Sequence, residues 1–202
     1  MMRRMTPAFG VALVAAAGVA FGCSTIHESA PPRYWTLTAI AGDVAEVPVA
    51  RTIGVGPVSL PAYLDRVSVV TRTGSRLEVA QFDVWGQPLA ENVTRVLADN
   101  LERLLPGTSA TPFPWEGFSS QLDQRVAVRI ARFDADGDGT VHLEASWSVR
   151  SGDRSERRSV GRAAIREPVA GGGVEQITDA MSRSLAELSR RIAAQLSARS
   201  AP

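Results

Sequence analysis

The chain has 202 residues with 22 basic against 21 acidic side chains, and a formal charge of +1 excludes a strongly basic nucleic-acid binder or an acidic-tail protein. Every basic residue is arginine, so no lysine is present to form a Schiff base, act as a general base or fill a phosphate-binding P-loop. One cysteine excludes an internal disulfide framework and a cysteine-based zinc site, while 45% hydrophobic and 21% charged residues describe one globular domain of ordinary size. The arginines are scattered along the chain, which speaks for compositional bias and against a clustered arginine site.

The chain opens with Arg3 and Arg4, then an uncharged Ala- and Val-rich run from Phe9 to Gly22. That run is shorter than the roughly 20 apolar residues a spanning helix needs and has the form of a signal peptide. It ends Ala20-Phe21-Gly22-Cys23, which resembles a bacterial lipobox, with Ala20 where the pattern prefers Leu. Cys23 is the expected lipidation site, because a free thiol at a secreted N-terminus would be open to oxidation. By resemblance to lipoprotein sorting in enteric bacteria, Ser24 after the cysteine favours the outer membrane. Residues 1–22 are therefore read as the signal peptide, 23–32 as the lipidated Cys and a tether, and 33–202 as the domain. Removing residues 1–22 takes two arginines and no acid, so the charge becomes −1. Membrane attachment is expected from the lipid, with no polybasic patch assisting it.

Residues 34–38 alternate as a first strand, and 51–58 read as a β-branched strand whose glycines imply a bulge or close approach. Residues 61–65 form a turn, and 67–71 with 76–80 a hairpin across Thr73-Gly74-Ser75. Pro88 suits the first position of a helix whose stripe is Leu89, Val93, Val96, Leu97, Leu101 and Leu104. Residues 108–124 read as irregular, with an aromatic-proline segment at 112–118 that plugs the core edge or offers an apolar contact. Residues 125–133, 141–149 and 157–165 form an antiparallel meander. In it Val126, Val128, Ile130 and Arg132 share a face, as do Val141, Leu143, Ala145, Trp147 and Val149. After three glycines at 171–173, a second helix carries Val174, Ile177, Met181, Leu185, Leu188, Ile192 and Leu196, with Arg190, Arg191 and Arg199 toward its end. The expected fold is a single α+β domain: a mixed, mostly antiparallel sheet with two long amphipathic helices packed on one face.

Asp134, Asp136 and Asp138 match the first half of a calcium loop, but Ala145 stands where the bidentate Glu belongs and both flanks alternate as strands. A hairpin turn accounts for the same residues. His142 is read as a solvated strand histidine, and His27 as a solvated residue of the tether. No G-x-S-x-G occurs, and the 171–173 glycines lack the Walker pattern. The residues suggest neither an enzyme nor a bound cofactor.

Several short motifs in order resemble the ABC-type transport auxiliary lipoproteins, the PqiC/YmbA-like group. They are Cys23, Tyr34-x-x-Leu37, Val55-x-Pro57-Val58, Pro61-x-Tyr63-Leu64-Asp65-Arg66, Trp85-x-x-Pro88-Leu89 and Pro114-Trp115. The resemblance implies a periplasm-facing lipoprotein that works with an MCE-domain protein and a permease in intermembrane lipid transport, anchored in the inner leaflet of the outer membrane. Its role would be docking, without catalysis. Tyr63, Leu64, Asp65 and Arg66, then Pro114 and Trp115, are the candidate contact residues. Self-association around a symmetric partner follows only by analogy. The alternatives are a stand-alone envelope-integrity adaptor, a calcium-dependent module and an envelope hydrolase.

Overall fold

The computed structural model describes residues 30–40, 42, 51–114, 122–151 and 158–198. Pro32–Pro202 forms one compact unit, and Met1–Pro31 is a separate one. Cys23, its tether up to residue 29, and Trp115 lie outside the described residues.

The two periodic stripes form helices α1, Leu89–Leu104, and α2, Val174–Ala198. All six stripe residues of α1 are buried, and so are Met181, Leu185, Leu188, Ile192 and Leu196 of α2. Burying each such side chain contributes about 1.5–3 kcal/mol. Pro88 is the N-cap of α1, one position earlier than expected, with ψ of 131° holding it outside the helix. Arg190 and Arg191 lie short of the last turn of α2 and bind Glu187 instead. No helix among the described residues is long and apolar enough to cross a membrane.

Eight strands form one sheet: β1 Arg33–Trp35, β2 Thr52–Ser59, β3 Ser68–Thr73, β4 Arg76–Trp85, β5 Ser109–Pro112, β6 Gln124–Asp136, β7 Thr140–Ser151 and β8 Arg158–Pro168. Their path is β1-β4-β3-β6-β2-β5, and β7 and β8 continue from the other edge of β6. The sheet is mixed, but most strand pairings are parallel: β1 with β4, β2 with β5, β2 with β6 and β3 with β6. This corrects the mostly antiparallel expectation. Tight turns announce hairpins in the sequence, as at β3–β4 and along β6–β7–β8, whereas parallel partners lie far apart in the chain and leave no local mark.

β6 is the hub. Its first half pairs β2, its last two residues pair β3, and nearly its whole length pairs β7. A register shift between Ile130 and Arg132 inserts Ala131 as an extra residue. Phe133 and Ala135 therefore continue the buried face of Val126, Val128 and Ile130, while Arg132 turns to the opposite face, against expectation. Residues 109–112, expected to be irregular, form β5 beside β2; four residues ending in Pro carry too little pattern to announce a strand.

The glycines of β2 are close approaches, as expected. Gly56 has φ of 136°, and a Cβ there would sit 1.9 Å from the Phe113 carbonyl oxygen. Gly161 of β8 plays the same part under α2. A Cβ would lie 2.3 Å from the Trp147 ring, whose Nε1 donates to Gln195 Oε1 at 2.8 Å, and Gln195 Nε2 donates to Ser159 Oγ at 2.6 Å. Gly161→Ala should displace the indole and lower the unfolding free energy by about 1–3 kcal/mol, read by chemical denaturation. An unchanged stability would show that the ring does not seat there.

Candidate functional site

The domain begins by being strapped to its helices. β1 is only three residues long, because residues 36–40 leave the sheet and cross both helices, where a five-residue strand was expected. Arg33 Nη2 and Trp35 Nε1 donate to the two oxygens of Asp83, each at 2.8 Å. Beyond them the backbone groups find side-chain partners in turn. Arg95 Nη2 donates to Leu37 O at 2.7 Å, and Thr38 N donates to Ser182 Oγ at 3.2 Å. Arg103 Nη1 donates to Ala39 O at 3.0 Å, and Ile40 N donates to Asn100 Oδ1 at 2.9 Å. These bonds replace the strand ladder that the segment has left, so its buried backbone remains satisfied. Leu37 is fully buried beneath it. Asn100 Nδ2 also donates to Ser189 Oγ at 3.3 Å, joining α1 to α2 under the strap. These partners were not foreseen; their only signal is buried polar side chains (Asn92, Asn100, Ser182 and Ser189) on otherwise apolar helices.

The corner at residues 61–66 is a tight turn closed by Leu64 N donating to Pro61 O at 2.9 Å. It divides the candidates. Leu64 is buried in the core and Tyr63 is half-buried, whereas Asp65 and Arg66 are exposed beside Val67, itself 73% exposed. Tyr63 OH donates to Asp134 Oδ2 at 2.5 Å. Burial and then this bond hold the Tyr63 phenol above its ordinary pKa. Asp134 is wholly buried and also receives Arg132 Nε at 3.0 Å and Arg72 Nε at 3.3 Å, with the Arg72 guanidinium 5.2 Å from the Tyr63 ring centre. Arg132 Nη2 continues to Asp136 Oδ2 at 2.7 Å.

These contacts show how the acidic side chains are engaged in the turn. Asp134 and Asp136 are neutralised by arginines, while Asp138 Oδ1 accepts from Thr140 N at 3.0 Å as a turn residue, beside Gly139 at φ 77°. Among the described residues no group of three His, Cys, Asp or Glu is placed to hold a metal. His142 stands opposite Asp134 in the β6–β7 register; it is half-buried with Nε2 sequestered, not the solvated histidine expected.

Pro114 is exposed at the end of β5. Phe113 before it is half-buried, donates its N–H to Val55 O at 2.7 Å and lies under the Arg125 guanidinium, 4.6 Å away, while Trp115 and Phe118 of the same segment lie outside the described residues. The corner and Pro114 both follow the carboxyl ends of parallel strands, β2 and β5, and no hydrogen bond or ion pair joins them among the described residues.

The scattered arginines are scattered only in sequence. On the helix-free face the registers bring Arg125, Arg150 and Arg158 into one row, Arg129 and Arg162 around Ser146 into another, and Arg166 beside His142. The folded domain therefore carries a patch of basic residues that the near-neutral totals do not announce: strand alternation puts every second residue of each strand on one face, and the registers align the arginines there.

Asp83 is held below the ordinary carboxylate pKa by Arg33, and Asp136 by Arg132 and the Gly137 N–H. A lowered folded-state value adds stability above the ordinary value near 4, and this is lost as pH falls through the folded value. Unfolding midpoints should fall on acidification below about pH 4, and less steeply in Asp83→Asn than in the parent. Identical slopes would contradict the assigned ion pair.

Residues 35–193 match the family described as ABC-type transport auxiliary lipoprotein component. Among solved structures, an uncharacterized protein is 20% identical with a TM-score of 0.69, covering 82% of this chain and 99% of its own. Protein XCC0632 from Xanthomonas campestris, of family DUF330, is 16% identical with a TM-score of 0.66, covering 83% and 99%. These likenesses establish the fold. Among curated proteins none matches. The chain belongs to the ABC-type transport auxiliary lipoprotein family.

Proposed function

We propose that the chain is a lipid-anchored, non-catalytic docking subunit that holds an MCE-domain protein and its permease at the inner leaflet of the outer membrane for intermembrane lipid transport. The observation that carries this reading is the strap. Residues 33–40 come directly after the tether and are fixed to the sheet through Asp83 and to both helices through four backbone bonds. A domain held at its N-terminus needs such a fastening, because a pull on the tether would otherwise peel a three-residue edge strand. In this reading Cys23 carries the lipid, and the nine residues 24–32 span at most about 30 Å.

Asp65 and Arg66, presented beside exposed Val67, are the contact residues of the corner, and Pro114 with Trp115 forms the second. Tyr63 and Leu64 hold the corner in place from inside. The family match over most of the domain supports the transport assignment, and an auxiliary role fits a domain whose buried carboxylate is already committed to arginines.

Photocrosslinkers placed at residues 65 and 102 in cells test this, since Glu102 is exposed on α1, away from the corner. Residue 65 should yield an adduct with an MCE-domain protein and residue 102 should not, and Cys23→Ala should lose labelled palmitate together with the adduct. Absence of such an adduct from residue 65 in cells that retain the labelled lipoprotein would sink the docking role.

A further inference from the structure

We infer that the helix-free face of β6, β7 and β8 is a seat for anionic phospholipid headgroups, laid against a membrane surface in addition to the acyl anchor. The face carries seven arginines (125, 129, 132, 150, 158, 162 and 166) against the carboxylates of Asp134, Asp136 and Glu144. Arg132 is spent on Asp134 and Asp136. Arg129, Arg150, Arg158, Arg162 and Arg166 are all exposed, and none has an ion pair among the described residues. A chain with a formal charge of +1 has thus gathered much of its positive charge on one surface.

The surface has a groove of about 360 Å³ in its middle, lined by Arg129, Arg158 and Arg162 with the serines 59, 146 and 148. A second hollow of about 420 Å³ shares Arg129, Ser146 and Arg162 with it and has the Glu144 carboxylate on its wall, so the groove, which no carboxylate lines, is the headgroup seat. In the strand register Arg129 and Arg162 stand on either side of Ser146, two strand spacings or roughly 10 Å apart. Arg158 lies four residues from Arg162 on β8.

Guanidinium forks and hydroxyls offer donors, whereas a phosphodiester offers only acceptors, so the chemistry of the groove matches a phosphate group. An acidic protein would be the other anionic occupant, but the stable core of a protein interface needs large apolar or aromatic anchors. Between these arginines stand Ala127, Ser146, Ser148 and Ala164; of the larger apolar groups lining the groove, Trp147 and Val128 are buried, and Val160, 66% exposed, and Pro57 are the accessible ones. Small side chains under a cationic rim leave the headgroups room and present little apolar surface for a protein partner to bury. The inference rests on the proposed function only in that a short tether would hold the face within reach of a bilayer.

The test places the full-length lipidated protein in nanodiscs of phosphatidylcholine, with or without phosphatidylglycerol, and treats them with phenylglyoxal. Modification of each arginine is followed by mass spectrometry, with exposed Arg76 at the start of β4 as internal reference. Arg129, Arg158 and Arg162 should react at least several-fold more slowly on the anionic discs, and high salt should abolish the difference while Arg76 is unaffected. The double variant Arg129→Gln, Arg162→Gln should release Arg158 from protection. Equal rates on both discs overturn the inference, and so does protection by polyglutamate without protection by phosphatidylglycerol, which would assign the face to an acidic protein. A protein retained on neither disc has lost its anchor, a failure of the Cys23 assignment. In that case the same rates measured with added vesicles of the two compositions still decide the arginine face.

Discussion

The buried carboxylate of Asp134 is the constraint on which the arrangement of this domain depends. A charge fully removed from water is tolerated only with close partners of opposite sign and satisfied lone pairs. Asp134 has two such partners, Arg72 from β3 and Arg132 from its own strand, and the Tyr63 hydroxyl from the corner donates to it as well. Its position gives these bonds their importance. The wing of β1, β4 and β3 meets the body of the sheet through only two registered pairs, Thr71 with Ala135 and Arg72 with Asp136. The Asp134 cluster fastens that wing to β6 where the backbone ladder is shortest, and it fixes the corner at residues 61–66 from beneath in the same step. The bulge at Ala131 is what makes this possible, since without it Arg132 would face the helices.

The strap complements this joint on the opposite side of the helices. The chain enters along the wing at β1 and immediately crosses α1 and α2, so that the segment nearest the proposed anchor touches both halves of the fold. In the proposed arrangement, force or tilt imposed at the N-terminus would be shared between the Asp83 pair, the helix side chains and the Asp134 joint. Docking at Asp65 and Arg66 would then be mechanically continuous with the anchor, a reason for the corner to be held by Tyr63 and Leu64 from within.

What could be read from the chain follows from the range of the forces involved. Both helices were legible because their stripes repeat over 16 and 25 residues and every turn agrees with the next. The hairpins were legible from Gly74 and Gly139, which take positive φ of 62° and 77° in tight turns. Parallel partners were not, because β2 and β6 meet across some 70 residues with no turn to announce them. The corner was identified as a unit from resemblance, yet burial separates its inward pair, Tyr63 and Leu64, from its outward pair, Asp65 and Arg66. The acidic loop drew attention to the right residues for a different chemistry: Asp134 and Asp136 bind arginines, and Asp138 caps the turn. The arginine face was hidden most completely, since near-neutral totals say nothing about segregation and only the registers of β6, β7 and β8 bring those side chains together.

Native-state hydrogen exchange of the Asp134→Ala variant against the parent tests the central claim most directly, because it reads the wing and the body separately in one molecule. Amides of β3 and β4 should lose protection well before those of β7, with residues 63–66 opening along with the wing. Loss of protection spread evenly over β3, β4 and β7, or none at all, would contradict the role of Asp134 as the joint between wing and body.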